Sequence, residues 1–198
     1  MTLAIFATIF MYTDAQGNHL GNLMYIFLAL IVGTVIGWIM AKRVQMTAMP
    51  QMVSFFNGMG GACAALIGLM EFHHNVGNTG PQMAVVLGMI IGSVSFSGSI
   101  VAFLKLNGTM NKPVRLPSYN IINTIIMIGV LAYGAFMIFS GTDSIVLLYL
   151  LFALALFYGV MFVIPIGGAD MPVVISLLNS FTGLAAAFGG FLYDNKVM

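Results

Sequence analysis

The side chains that could carry chemistry in this sequence are a few hydroxyls and amides set in apolar stretches. Near the C-terminus, Ser176, Asn179 and Ser180 are spaced so that they share one helical face with Gly183. An amide in the middle of an apolar segment needs partners inside a helix bundle, because an unsatisfied polar group in hydrocarbon is costly. This face therefore predicts either hydrogen bonds between helices or a path for protons.

A second row of hydroxyls lies in an earlier apolar stretch. Ser95 and Ser99 continue a stripe of small residues that begins at Gly88 and Gly92. One interpretation is tight packing, with each hydroxyl bonded back to a backbone carbonyl of its own helix. The other is that the hydroxyls hydrate a proton path.

Two places carry titratable groups of interest. Asp170 follows two glycines and precedes Met171-Pro172, which predicts an acidic N-cap with proline in the first helical turn. His73 and His74 follow Glu71 in a predicted loop, where adjacent histidines could take up protons or bind a metal, or simply be solvated. No catalytic group is predicted, and the 17 methionines favour gap filling over a soft-metal site.

The elements that position these residues must lie in a membrane. Of the 198 residues, 61% are hydrophobic and 6% charged, against about 25% charged in soluble domains. The mean hydropathy of +1.06 requires that apolar side chains face lipid. At about 20 residues a span, the length allows roughly seven spans and no sizeable soluble domain. The net charge of +1 indicates no nucleic-acid partner.

Apolar runs divide the chain into seven predicted helices. They cover Met1 to Tyr12, Asn22 to Met40, Met49 to Phe72, Gln82 to Leu106, Ser118 to Ser140, Ile145 to Pro165 and Met171 to Tyr193. The first would be only about 18 Å long, too short for a hydrocarbon core of about 30 Å. The sequence thus predicts an all-α, polytopic transmembrane helix bundle over residues 1–198, a single membrane domain whose first span is partial.

The basic residues predict the orientation of the bundle. If all seven segments cross, five basic residues share one side: Lys42, Arg43, Lys105, Lys112 and Arg115. The other side holds Asp14, Glu71, Asp143 and Asp194, which leaves Asp170 as the sole acidic residue on the basic side. Because lysine and arginine accumulate in cytoplasmic loops, we expect the basic side to be cytoplasmic and Lys196 to lie outside. A further span would then be needed before a cytoplasmic domain could follow.

Four stretches of the sequence resemble one family. They are residues 44–65 (VQMTAMPQMVSFFNGMGGACAA), 94–108 (VSFSGSIVAFLKLNG), Leu116-Pro117 and 166–191 (IGGADMPVVISLLNSFTGLAAAFGGF). Together they resemble the membrane domain of the β subunit of proton-translocating nicotinamide nucleotide transhydrogenase. The similarity runs over nearly the whole chain.

The resemblance implies a role in an energy-coupled redox enzyme. In that family, hydride transfer between NAD(H) and NADP(H), held on two soluble partner domains, is coupled to proton passage through the membrane domain. Asp170 matches an aspartate that communicates with the NADP(H)-binding domain, Asn179 matches a polar residue of the proton path, and the serines of SFSGS match a helix lining the same region. We therefore expect a chain that binds no cofactor itself and works in an oligomer with both nucleotide-binding partners, in the lipid of a bacterial cytoplasmic membrane.

Three departures from the family pattern keep alternatives open. Some relatives carry a proton-carrying histidine where this chain has Pro81, so His73 and His74 become candidates for the point where protons enter. The loop after the second helix has Gln45 and Gln51 in place of acidic residues. The family's flanking spans and NADP(H) domain are also missing, which indicates an internal piece, a split-gene product or a truncated chain. A small transporter or channel-like subunit without redox activity is the alternative function, and a nonfunctional remnant is a third.

Overall fold

The computed structural model describes residues 2–11, 21–110 and 118–193, which form α-helices joined by short connections and no strands. The helices are α1 (Thr2–Met11), α2 (Leu23–Arg43), α3 (Met49–Glu71), α4 (Thr79–Leu106), α5 (Tyr119–Ser140), α6 (Ile145–Val163) and α7 (Met171–Leu192). In these ranges, six helices are long and apolar enough to cross a membrane, and α1 is not among them. The prediction of an all-α polytopic bundle is confirmed.

Proline and glycine set several helix boundaries. Pro50 and Pro172 lie in the first turns of α3 and α7, where the missing N–H would have no partner in any case. The helix α5 ends at Ser140 and is capped by Gly141, whose φ of 59° is the left-handed conformation that favours glycine. In contrast to the predicted start at Gln82, α4 begins at Thr79, because the first turn of a helix tolerates Pro81.

The helix α4 lies at the centre of the bundle and packs against α3, α5, α6 and α7. In the 18-residue apolar stretch of α4, 78% of the residues are buried. In the corresponding stretch of each of the other five candidate spans, 33% or less are buried. Two apolar clusters flank it. One is centred on Met89, Met137 and Leu151, and the other on Met171, Leu178 and Val163. The helix α2 contributes no buried residue.

Glycines allow α4 to approach its neighbours closely. A Cβ atom added at Gly92 would lie 2.8 Å from both the backbone nitrogen of Ala65 and the backbone oxygen of Gly61 on α3. On the opposite side, a Cβ at Gly159 of α6 would lie 2.6 Å from the backbone oxygen of Val94. Both distances are shorter than real Cβ contacts, so these helix pairs depend on the missing side chains.

One end of the bundle gathers the start of α3 and the ends of α4 and α6. Gln51 donates a hydrogen bond from Nε2 to the backbone oxygen of Leu106 at 2.8 Å. Lys105 lies in the last turn of α4, inside the predicted fourth helix, and is only 7% exposed. Five other charged residues that were used to predict the orientation lie outside the described residues. They are Asp14, Lys112, Arg115, Asp194 and Lys196.

Candidate functional site

A group of polar side chains joins α3, α4 and α7 inside the bundle. We call it the amide–hydroxyl cluster; its members are Ser54 and Asn57 on α3, Ser95 and Ser99 on α4, and Thr182 on α7. The Nδ2 atom of Asn57 lies 3.0 Å from Oγ of Ser99 and 3.3 Å from Oγ of Ser95. These contacts place one amide donor between two hydroxyls that stand one helical turn apart.

The members of the cluster on α3 and α4 are buried. Ser54 donates from Oγ to the backbone oxygen of Ser99 at 2.8 Å, and Ser54, Ser95 and Ser99 are 0% exposed. Asn57 is 8% exposed, and its Oδ1 atom is buried with no hydrogen-bond partner in the described part of the chain. A buried acceptor without a donor is uncommon and indicates a place for a water molecule or another proton donor.

The α7 side of the cluster is formed by one turn of that helix. Ser95 donates from Oγ to the backbone oxygen of Leu178 at 2.9 Å and lies 2.5 Å from Oγ1 of Thr182. Thr182 also lies 3.2 Å from the same carbonyl. In contrast, Ser93 and Ser97 donate to backbone carbonyls of α4 itself, at 2.6 and 3.0 Å, so these two hydroxyls are satisfied within their own helix.

The predicted polar face of α7 lies on the outer surface of the bundle and makes no contact within this cluster among the described hydrogen bonds. Ser176, Asn179 and Ser180 are all exposed, and Ser180 donates to the backbone oxygen of Ser176 at 3.1 Å. The expectation that the Asn179 amide finds partners inside the bundle is wrong within the described residues, because Ile175 and Leu178 occupy the buried side of α7. The structure thus brings Ser95 and Ser99 together and leaves the three α7 residues on the outer surface.

Asp170 ends a single 3-10 turn, Gly168–Asp170, that leads into α7. Its predicted position at the N-cap is confirmed, but its side chain makes no capping hydrogen bond. The residue is exposed and lies at the same end of the bundle as Lys105 and Gln51. Its carboxylate is therefore available to a group outside the described residues.

The two adjacent histidines lie at the opposite end, in the 3-10 turn His73–Asn75. Nδ1 of His73 contacts Oδ1 of Asp143 from the connection between α5 and α6. Nδ1 of His74 lies 3.5 Å from a carboxylate oxygen of Glu71, whose other oxygen accepts a hydrogen bond from the Tyr193 hydroxyl at 3.0 Å. Nowhere in the described ranges do three or more His, Cys, Asp or Glu side chains meet as metal ligands would.

Sequence reasoning missed Ser54, Asn57 and Thr182. Asn57 lies within an apolar run just as Asn179 does, and Ser54 precedes it by three residues on the same helical face. The argument applied to Asn179 would have selected Asn57 as well. The sequence does not show which of the two amides faces the neighbouring helices.

Comparison with known proteins adds the decisive observation. The family described as NAD(P) transhydrogenase beta subunit matches residues 1–198. The chain belongs to this family. Two curated proteins named NAD(P) transhydrogenase subunit beta, from Rhodospirillum rubrum and from a strain of that species, are each 39% identical over 184 residues. The matches cover 88% of this chain and 39% of each relative, so the chain spans about two fifths of the length of these transhydrogenase relatives.

Proposed function

We propose that this chain forms the membrane part of a proton-translocating NAD(P) transhydrogenase. In this proposal NAD(H) and NADP(H) bind to partner domains, and hydride transfer between them is coupled to proton passage through this bundle. Family membership and the six candidate spans support the membrane role in such an enzyme. The proposed proton path rests on the amide–hydroxyl cluster, in which the Asn57 Oδ1 atom is buried and has no hydrogen-bond partner among the described residues.

The cluster can relay a proton but cannot store one. Amides and hydroxyls donate and accept hydrogen bonds without titrating near neutral pH, so their role is to order water and pass a proton along. The five side chains span three helices, so a shift of one helix relative to another makes or breaks the relay. A gated path of this kind suits an enzyme that must prevent free proton leakage.

The outer face of α7 forms the second part of the proposed path. Ser176, Asn179 and Ser180 are exposed on a helix that would otherwise meet lipid, where unpartnered polar groups are unfavourable. We infer that a membrane helix of the assembled enzyme covers this face. Asn179 precedes Thr182 by three residues, so it would then line a polar seam beside the amide–hydroxyl cluster.

Replacing Asn57 by leucine in the assembled enzyme tests the path. We expect gradient-driven transhydrogenation in proteoliposomes to fall at least about tenfold, equivalent to about 1.4 kcal/mol in the barrier. Leucine keeps the volume but removes both the donor to Ser99 and the unpartnered acceptor. Hydride transfer between the isolated nucleotide domains should be unchanged.

Asn123 on α5 provides a matched control. Its Oδ1 atom is also buried and has no hydrogen-bond partner among the residues that the structure describes. Asn123 lies outside the cluster, and its Nδ2 atom donates to the Tyr119 hydroxyl. Asn123→Leu should keep gradient-driven turnover within about twofold of the parent, whereas Asn179→Leu should lower it if the outer face belongs to the path. Equal coupled turnover in the parent and in Asn57→Leu would refute the relay.

The paired histidines are the proposed point at which protons enter from the outer side. Replacing both His73 and His74 by glutamine should lower coupled turnover by about two- to fivefold, because an amide cannot bind and release a proton near neutral pH as an imidazole does. Asp143→Asn serves as the control, because it breaks the contact with His73 but keeps both imidazoles. If the two variants behave alike, the loop contributes only that contact, and the proton carrier belongs to a partner chain.

Localisation and assembly follow from the same proposal. The six apolar helices found in the described ranges make this a multi-pass membrane protein. We infer that it works in a bacterial cytoplasmic membrane, in an oligomer with chains or domains that bind NAD(H) and NADP(H). Asp170 is the proposed contact to the NADP(H)-binding partner, because its carboxylate is exposed at the end of the bundle predicted to face the cytoplasm.

A further inference from the structure

Among the described basic side chains, only Lys105 is buried. Its Nζ atom donates to the backbone oxygens of Val163 at 3.0 Å, Ile166 at 2.7 Å and Ile164. An ammonium has three donors, and here three carbonyls receive them. No carboxylate among the described residues pairs with it.

The three acceptors belong to one short segment. Val163 is the last residue of α6, and Ile164 and Ile166 begin the connection to α7. Carbonyls at a helix C-terminus lack intrahelical partners and carry the negative end of the helix dipole, so they attract a cation. Lysines that fill this role usually come from the same helix. Lys105 comes from α4, so the contact joins two helices.

The segment held by Lys105 leads directly into the turn that carries Asp170. Gly167 and Gly168 follow Ile166, and a Cβ atom at either glycine would meet nothing within 4 Å. Residues 168–170 are exposed. The turn therefore has room to shift, while the residues just before it are fixed to α4.

On its other side, Lys105 is part of the helix that carries the amide–hydroxyl cluster. Ser99 precedes it by six residues on α4, which is about 9 Å along the helix axis. At the same end of α4, Gln51 of α3 bonds to the backbone oxygen of Leu106. A displacement of the connection before Asp170 thus pulls on the end of α4, and through it on the helix pair that holds Asn57.

We propose that Lys105 is the positioning residue that links the Asp170 turn to the proton relay. This inference rests on the proposed function, because it assigns to Lys105 the transmission between the nucleotide side and the path. Lys105 itself touches neither nucleotide nor relayed proton. When the turn moves, the buried ammonium must either carry α4 with it or lose its acceptors, and the second outcome is unfavourable for a buried charge.

The test compares Lys105→Met and Lys105→Arg in the assembled enzyme. Methionine keeps the apolar stem and removes the ammonium, whereas arginine keeps a cation with several donors. We expect Lys105→Met to lower gradient-driven transhydrogenation at least tenfold while hydride transfer in detergent without a gradient stays within twofold. Lys105→Arg should recover part of the coupled rate. Lys42→Met is the control, since it removes an exposed lysine that lies over Trp38 at the same predicted side.

Three outcomes would overturn the inference. The first is unchanged coupled turnover in Lys105→Met. The second is a parallel fall of coupled turnover, gradient-free hydride transfer and melting temperature, because a residue that only stabilises the fold lowers all three. The third is an equal effect in Lys42→Met. If Lys105→Met does not fold, the same criteria apply to Lys105→Gln, which keeps two donors without the charge.

The Asn57→Leu variant, measured in parallel, separates this inference from the proposed function. If Asn57→Leu impairs coupling and the Lys105 variants do not, only this inference fails. If neither impairs coupling, the proposed function fails.

Discussion

Replacing Gly159 by alanine should lower the melting temperature of the detergent-purified protein by several degrees. The added Cβ atom would lie 2.6 Å from the backbone oxygen of Val94 and 2.9 Å from its Cα atom. These are backbone atoms, so α6 must move away from α4. Overpacking of this kind costs about 1 to 3 kcal/mol, and each kcal/mol corresponds to about 2 to 4 °C in a chain of this size. Gly159→Val should be more severe.

The same change should also weaken proton coupling, because Val94 is the neighbour of Ser95 in the cluster. Gly129 on α5 is the matched control: it is exposed, and a Cβ there would meet nothing within 4 Å. Gly129→Ala should leave the melting temperature unchanged or raise it slightly, since alanine is the better helix former. A melting temperature for Gly159→Ala as high as that of Gly129→Ala would show that α6 and α4 do not approach as closely as described.

Replacing Asp170 by asparagine in the assembled enzyme should change NADP(H) affinity and lower gradient-driven turnover by about tenfold or more, equivalent to about 1.4 kcal/mol. The side chain makes no capping hydrogen bond, so the fold loses only the attraction of a carboxylate to a helix N-terminus, about 0.3 to 1 kcal/mol. The charge itself is what a partner domain would bind. Affinity can be measured by titration calorimetry with NADPH, and turnover in proteoliposomes.

Asp143→Asn removes an aspartate of similar exposure at the opposite end of the bundle and should leave NADP(H) affinity unchanged. A melting temperature near that of the parent would exclude misfolding as the cause of any effect at Asp170. If Asp170→Asn binds NADP(H) and turns over as the parent does, the carboxylate serves only the start of α7.

The spans were predictable because hydropathy decides them. The observed helices begin and end within about three residues of the apolar runs, and the largest differences come from Pro81 in α4 and from Lys42 and Arg43, which extend α2. The arrangement of the helices was not predictable in the same way. The helix α4 is apolar or small on all sides, so its sequence does not show which neighbours it has, and its central position emerges only from packing.

The sequence predicted the residue types of the site better than it predicted which helix face meets the neighbouring helices. Ser95 and Ser99 were selected for a small, polar stripe, and the structure buries that stripe against α3 and α7. Asn179 was selected for an amide in hydrocarbon, but a helix with one small face and one apolar face can turn either toward its neighbours. Leu178 and Ile175 fill the space beside α4, which leaves Asn179 outside. Lys105 shows the same limit, since the sequence predicted that it lies at the basic end of the fourth helix but did not show that carbonyls at the end of α6 bury its ammonium.

The central position of α4 has a consequence for how the protein is made. Ser93 and Ser97 are satisfied within α4 as soon as it is helical, but Ser95 needs Leu178 and Thr182, and Lys105 needs Val163 and Ile166. The ribosome adds those partners 58 to 87 residues later. During that interval α4 has only α3 beside it from this cluster. A chain released before α7 would leave Ser95 with Asn57 as its partner from another helix, and one stopped before α6 would present the Lys105 ammonium without its carbonyl acceptors. The two helices synthesised last therefore complete the polar contacts of the helix at the centre of the bundle.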